Sequence, residues 1–93
     1  MQFEFDPAKS ASNKAKHGLD FIEAQALWTD ACRMRVPAKI IGGEVRYAVL
    51  GSIGRVLHTV IVTYRGACIR IISARPSSPA EKQNYEQHKN KVP

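Results

Sequence analysis

Acidic residues are nearly absent from the middle of this chain: between residues 32 and 75 there is one, Glu44, against eight Lys and Arg. Neutralisation within that stretch is excluded, so its charge must meet carboxylates from elsewhere, meet a partner, or stay in water. Cysteine is scarce too. Cys32 and Cys68 are too few for a disulfide scaffold and lack metal-ligand spacing, so both are expected as reduced thiols on strands. Asp, Glu and His form no cluster with ligand spacing either, and neither a metal nor a cofactor is expected. No apolar run approaches the roughly 20 residues of a membrane-spanning helix. The N-terminus, MQFEFDPAK, is acidic and aromatic where a secretory signal has a basic start and an apolar run. A cytoplasmic chain with no membrane partner is the expectation. Linkers, repeats and low-complexity segments are missing, so residues 1–93 read as one domain able to bury about two thirds of its unfolded surface.

What the chain has in quantity is branched and basic side chains between Arg55 and Arg75, RVLHTVIVTYRGACIRIISAR. Val60 to Tyr64 form one β-branched run, Ile69, Ile71 and Ile72 another, and Gly66 marks the turn between them, which predicts an antiparallel hairpin. Arg55, Arg65, Arg70 and Arg75 stud this segment. Net charge is −2 in residues 1–31 (3 basic, 5 acidic), +7 in residues 32–75 (8 and 1) and +1 in residues 76–93 (3 and 2). Positive charge concentrated in a sheet suits phosphate or an acidic protein, and the competing reading is a solvated face that keeps the protein soluble.

The remaining elements follow from local signals. Phe3 and Phe5 alternate with polar residues in a short strand. Asp6-Pro7 then reads as an N-cap with proline at the first helical position, and His17-Gly18 as the helix end. Ala8, Ala11, Ser12 and Ala15 share one helical face, with Lys9, Asn13 and Lys16 pointing elsewhere. Asp20 and Glu23 are spaced as a capping box for a second helix, Leu19 and Ala24 as its staple, and Phe21, Ala24, Leu27 and Trp28 as its buried stripe. From residue 31 the period becomes two, with Cys32, Met34 and Val36 opposite Arg33 and Arg35, and Pro37 is expected to end that strand. Gly42-Gly43 breaks the next segment, and a further strand alternates Val45, Tyr47 and Val49 with Arg46, Ala48 and Leu50. GSIGR, at 51–55, lacks the Lys-Ser/Thr of a phosphate loop and the helix that should follow, so its glycines read as hairpin chemistry. Ser78-Pro79-Ala80-Glu81 starts a last helix, polar nearly all round except for Tyr85 and Val92. Strand, helix, helix, four strands and helix make an α+β domain with an antiparallel sheet.

FEFDPAKSASNKAKHG at 3–18, the FIEA that begins at Phe21, GRVLHTVIVTYR, and IRIISAR followed by Glu81 and Tyr85 together resemble the BrnT-type toxins over residues 3 to about 86. That resemblance implies a RelE-like fold and a metal-independent ribonuclease that stops translation by cutting RNA. It also implies neutralisation by a neighbouring BrnA-type antitoxin whose DNA-binding domain lets the complex repress its own operon, and it leaves a higher-order toxin-antitoxin assembly open. Phe5 stands where tryptophan is common in the family, and Pro76-Ser77 replaces a more basic, alanine-containing stretch.

Cutting RNA without a metal uses the substrate's own 2′-hydroxyl as nucleophile, so the protein need supply a base, an acid and cations around the phosphorane. His17, at a helix end beside Lys16, suits proton transfer, or it caps the last carbonyls of its helix. His58 reads as a core or edge side chain and His88 as solvent-facing. Arg65 and Arg75 are the best phosphate ligands, since guanidinium forks match phosphate bidentately. Strict alternation sets Arg70 out of phase with Arg75 and Arg46, so these arginines share a face only if a bulge intervenes. Glu81 is a general base or the third residue of a capping box, and Tyr85, one turn on, could stack a base or donate a proton. The catalytic candidates are therefore His17, Arg65, Arg75 and Glu81, with Lys16, Arg46, Arg70 and Tyr85 as RNA-binding candidates. A basic module that binds nucleic acid or an acidic protein without turnover is the alternative.

Overall fold

The computed structural model describes residues 1–91, so Val92, expected on the last helix, lies outside the described residues. A five-stranded sheet carries β1 (Gln2–Phe5), β5 (Cys68–Pro76), β4 (Val56–Arg65), β3 (Glu44–Ile53) and β2 (Met34–Ile41) in that spatial order. β2 to β5 are joined by tight antiparallel connections, whereas β1 adds in parallel to β5. The sheet is thus mixed, not antiparallel throughout. Between β1 and β2 run α1 (Pro7–His17) and a 3₁₀ helix (Glu23–Thr29), and α2 (Pro79–Lys89) closes the chain. No described helix is long and apolar enough to cross a membrane.

The turn glycines meet a steric demand at one connection above all: Gly42 and Gly43 both adopt positive φ (58° and 78°), the backbone of a hairpin turn whose twist matches its strands. Gly51 does something else. It lies inside β3 opposite His58, and a Cβ there would stand 2.9 Å from the Leu27 side chain, so its role is close packing and not a turn. Pro37 does not end β2; the strand continues to Ile41 past a register shift between Pro37 and Ile40. As β2 is an edge strand, a missing N–H leaves no ladder bond unmade on the outer side. Cys68 lies on β5, but Cys32 sits in the turn before β2; both are free thiols.

Alternate residues divide the core into two clusters. On one face Phe21, Leu27, Val60, Val62 and Ile71 are almost wholly buried, and Leu19, Ala24, Val49, Ile69 and Ala74 complete the cluster. On the other, Tyr85 of α2 packs with Ala48 and Leu50 against Met34, Val36, Leu57 and Ile61. The first face therefore carries α1 and the 3₁₀ helix, and the second carries α2.

α1 begins and ends where expected: Asp6 Oδ1 accepts from Ala8 N at 2.8 Å, and Gly18 is left-handed at φ 76°. Its buried face is not the alanine face. Ala8, Ala11, Ser12 and Ala15 are exposed, while Ser10 and Asn13 are buried. Ser10 Oγ accepts from Phe21 N at 2.9 Å; Asn13 Nδ2 donates to Leu19 O at 2.7 Å and Ala74 O at 2.8 Å, and Asn13 Oδ1 accepts from Ala74 N at 3.2 Å. Those backbone groups need polar partners once buried, and alanine has none to offer.

The second helix is 3₁₀ and not α. Asp20 Oδ1 accepts from Ile22 N and Glu23 N, and Glu23 Oε1 accepts from Asp20 N at 3.0 Å, so the expected box is formed. The apolar residues Phe21, Ala24 and Leu27 recur every third position, which is the 3₁₀ period and stacks them in one column. Trp28 is half-buried, with its ring edge-to-face on Phe3 at 5.0 Å.

Candidate active site on the arginine face

Arg46, Arg65, Arg70 and Arg75 all project from the α2 side of the sheet, and strand register is the cause. Thr59 pairs with Arg75 and Thr63 with Arg70, although the arginines are five positions apart, an odd offset that would put them on opposite faces of a regular strand. The register shifts by one between the Ile61–Ser73 and Val62–Ile71 pairs, where Ile72 is the extra residue. That bulge brings Arg75 back into phase with Arg70. Arg65, paired with Cys68, and Arg46, one before the Tyr47–Val62 pair, share the same side.

Carboxylates from distant parts of the chain meet these cations. Arg75 Nη1 and Nη2 donate to Glu81 Oε1 and Oε2 at 2.6 and 3.0 Å, a two-pronged pair. Arg70 reaches Glu4 at 3.3 Å, Arg65 reaches Glu44 at 3.2 Å, and Arg46 stands 3.7 Å from the same Glu44. The arginine side chains remain between 25% and 53% exposed, so each pair is worth at most about 1 kcal/mol and can be exchanged for phosphate. Beside Arg46 a groove of about 430 Å³ opens between the bulges of β2 and β5, lined mainly by Ala38, Ile41, Ile61 and Ile72.

Glu81 is held from two directions. It completes the α2 cap, with Ser78 N donating to Oε1 at 2.8 Å and Ser78 Oγ accepting from Glu81 N at 3.2 Å. The Arg75 guanidinium, above all, holds its carboxyl down at about 2, against the opposing effect of partial burial. Opposite Arg75 the buried Thr59 hydroxyl is 2.9 Å from that of Ser77. Neither hydroxyl stands out in the sequence, because only strand pairing sets them there.

Tyr85 is 4% exposed, with its ring against Ala48 and Leu50 and its hydroxyl donating to Asp30 Oδ2 at 2.6 Å. It is therefore packed and bonded where free stacking on a base would need an open face. Burial, reinforced by the Asp30 charge, pushes its phenol well above the usual range. Asp30 also accepts from Ser52 N and Cys32 N, each at 2.8 Å, and ties α2, β3 and the start of β2 together. These bonds outweigh its partial burial and lower its own pKa. Asp30 continues the three-residue column of Phe21, Ala24 and Leu27, the one sequence signal that could have singled it out.

Lys16 and His17 end α1, on the opposite layer from α2, and no described hydrogen bond or ion pair joins them to Arg75 or Glu81. Asn13 of the same helix is bonded to the backbone of Ala74, the neighbour of Arg75. His58 is buried with Nδ1 2.9 Å from Val56 O, and the partly exposed His88 lies in the last turn of α2. Four guanidinium groups on one open face, one of them forked onto a carboxylate, can bind a phosphodiester and offer an acceptor for a proton next to it.

Comparison with curated proteins returns no match. Residues 5–81, most of the chain, match the family model of the ribonuclease toxin BrnT of type II toxin-antitoxin systems, and the chain belongs to that family.

Proposed function

We propose that this protein is a metal-independent endoribonuclease that arrests translation and is neutralised by a BrnA-type antitoxin carrying a DNA-binding domain. Its family is one of ribonuclease toxins of type II systems, which brings an RNA target and an antitoxin partner. The observation that carries the reading is the shared face of Arg46, Arg65, Arg70 and Arg75, produced by the β5 bulge. In this scheme Arg75 takes the scissile phosphate beside Glu81, and Arg70, Arg46 and Arg65, toward the other end of the β4–β5 hairpin, hold flanking phosphates. As phosphate takes the Arg75 fork, Glu81 loses the bond that depresses it and regains the basicity to accept the 2′-hydroxyl proton. The 2′-oxygen then bonds to phosphorus as the P–O5′ bond breaks. An acid returns a proton to O5′, leaving a 2′,3′-cyclic phosphate and a 5′-hydroxyl. His17, with Lys16 beside it, is the second proton-transfer candidate. Tyr85 serves by holding α2, and with it Glu81, on the sheet. The RelE-like fold, action in the cytoplasm and autoregulation with the antitoxin belong to the same reading.

The test is purified protein on defined RNA in EDTA. Cleavage is expected, with Arg75→Ala reducing the rate at least about 100-fold, the size of losing one positioned cation at a developing charge. RNA retained by the wild-type protein without any cleavage would leave only a basic binding module. Expression alone should arrest bacterial growth and a neighbouring gene should rescue it; harmless expression of folded protein would count against the toxin reading.

A further inference from the structure

Exposed positive charge also lies on the face away from Glu81. Arg33, just before β2, and Arg35, on it, lie on the side of the chain opposite Met34 and Val36 and form no salt bridge with a carboxylate among the described residues. All four arginines of the α2 face, by contrast, have one. Arg35 lies over the ring of Tyr47 at 4.7 Å and over that of Tyr64 at 5.4 Å, and the two tyrosines meet edge to face at 5.4 Å. Next to them opens a cavity of about 450 Å³, lined by Trp28, Arg33, Arg35 and Tyr64 with Ile69 on its floor and no acidic residue in its wall. Tyr64 is 39% exposed.

We propose that this pocket binds one nucleotide of single-stranded RNA, its base stacked between aromatic side chains and its phosphate on Arg33 and Arg35. The proposal rests on the RNA reading given above and adds a second RNA contact behind the cleavage face. Each feature suits that ligand. Aromatic rings beside guanidinium groups make the stacking platform and cationic track of single-strand binders, and stacking tolerates any base because every base has a π-face. Cation–π contact holds Arg35 against the rings, so its charge is already positioned before a ligand arrives. The volume lies within the range of small-ligand pockets. A strand bound at once on this face and at Arg75 must pass round the sheet, so the pocket contributes to affinity for longer RNA and leaves the chemical step alone.

Trp28 is the only tryptophan in the chain and lines the pocket, so its emission reports occupancy directly. The probe is a 2′-O-methyl RNA octamer, which cannot be cleaved because its 2′-oxygens are capped. Titration into the intact protein is expected to quench Trp28. The Arg33→Ala/Arg35→Ala double variant should bind about tenfold more weakly and lower the slope of log K against log salt by about 0.7, the contribution of the one phosphate that is no longer neutralised. Tyr64→Ala should weaken quenching without that change in salt slope. On cleavable RNA the double variant should raise KM for an octamer while a dinucleotide is cut at the wild-type rate.

Octamer binding with no change in Trp28 emission, or unchanged affinity in the double variant, overturns the pocket. Polyglutamate altering Trp28 emission as strongly as the octamer would assign the site to an acidic polypeptide and overturn it too. Cleavage without quenching defeats the pocket and keeps the ribonuclease; quenching lost with Arg33 and Arg35, in a protein that cuts nothing, keeps the pocket and defeats the ribonuclease.

Discussion

Single side chains decide more here than their chemistry alone suggests. Asn13 bonds the backbone of Leu19 and of Ala74, residues six and sixty-one positions away, and so fastens α1 beside the bulge that orients Arg75. Asn13→Ala would leave buried N–H and C=O groups unpaired. A loss of about 2–4 kcal/mol is expected, read from the shift in denaturant midpoint at constant m-value. Glu81 sets a pH dependence. Its folded pKa of about 2 lies below the ordinary 4.5, so the stability from its pairing is fully present above about pH 4.5 and disappears as pH falls toward 2. Glu81→Gln should flatten the stability profile across that window in acid unfolding monitored by circular dichroism. A variant as acid-sensitive as the wild type there would show that the Arg75 pair stabilises nothing. The carboxylate's position beside serine and proline is legible as a helix cap, but its bond to Arg75 is not, because that bond depends on where β5 ends relative to α2.

At the level of elements, α2 is the weakly held part. Among its described residues Tyr85 is the buried one, and its other fastenings are the Ser78–Glu81 box, the Arg75–Glu81 fork and the bond from Tyr85 to Asp30. Ser78→Ala removes the side-chain acceptor of Glu81 N and should cost about 1 kcal/mol. Hydrogen exchange is the direct measure: amides of α2 should lose protection in the variant before those of β3 to β5, and uniform loss would mean that the helix unfolds only with the sheet. β5 is the element whose sequence misleads. Read as a regular strand, Arg70 and Arg75 oppose each other; one extra residue at Ile72 reconciles them. Sequence alternation could flag the conflict and name a bulge as its remedy. It could not locate the bulge, which is settled by what β4 offers for pairing. The 3₁₀ helix is the opposite case, since the spacing of Phe21, Ala24 and Leu27 fits a three-residue period as well as an α-helical stripe.

Across the whole molecule, β1 is the clasp. It covers the edge of β5 in parallel register, sets Phe3 against Trp28 and Phe5 against Phe21, and brings Glu4 to Arg70. Deleting residues 1–5 removes two aromatic anchors from a small core, and the melting temperature should fall by at least about 10 °C, as measured by calorimetry. The same clasp explains how a stretch with one acidic residue among eight basic ones tolerates its charge. Glu4 comes from before that stretch and Glu81 from after it, and only Glu44 from within.

Caps, turns and alternation were determined by the sequence alone: Asp6 and Gly18 bound α1, Ser78 starts α2, and Gly42-Gly43 and Gly66 turn the hairpins, because each acts through bonds or dihedral angles a few residues away. The tertiary structure alone decided that Ser10 and Asn13, not the alanines, face inward, that β1 joins in parallel, and that four arginines share a face while two others flank an aromatic pocket. Those outcomes depend on partners more than sixty residues distant, and a distant backbone group or carboxylate selects a side chain only once folding has brought the two into contact.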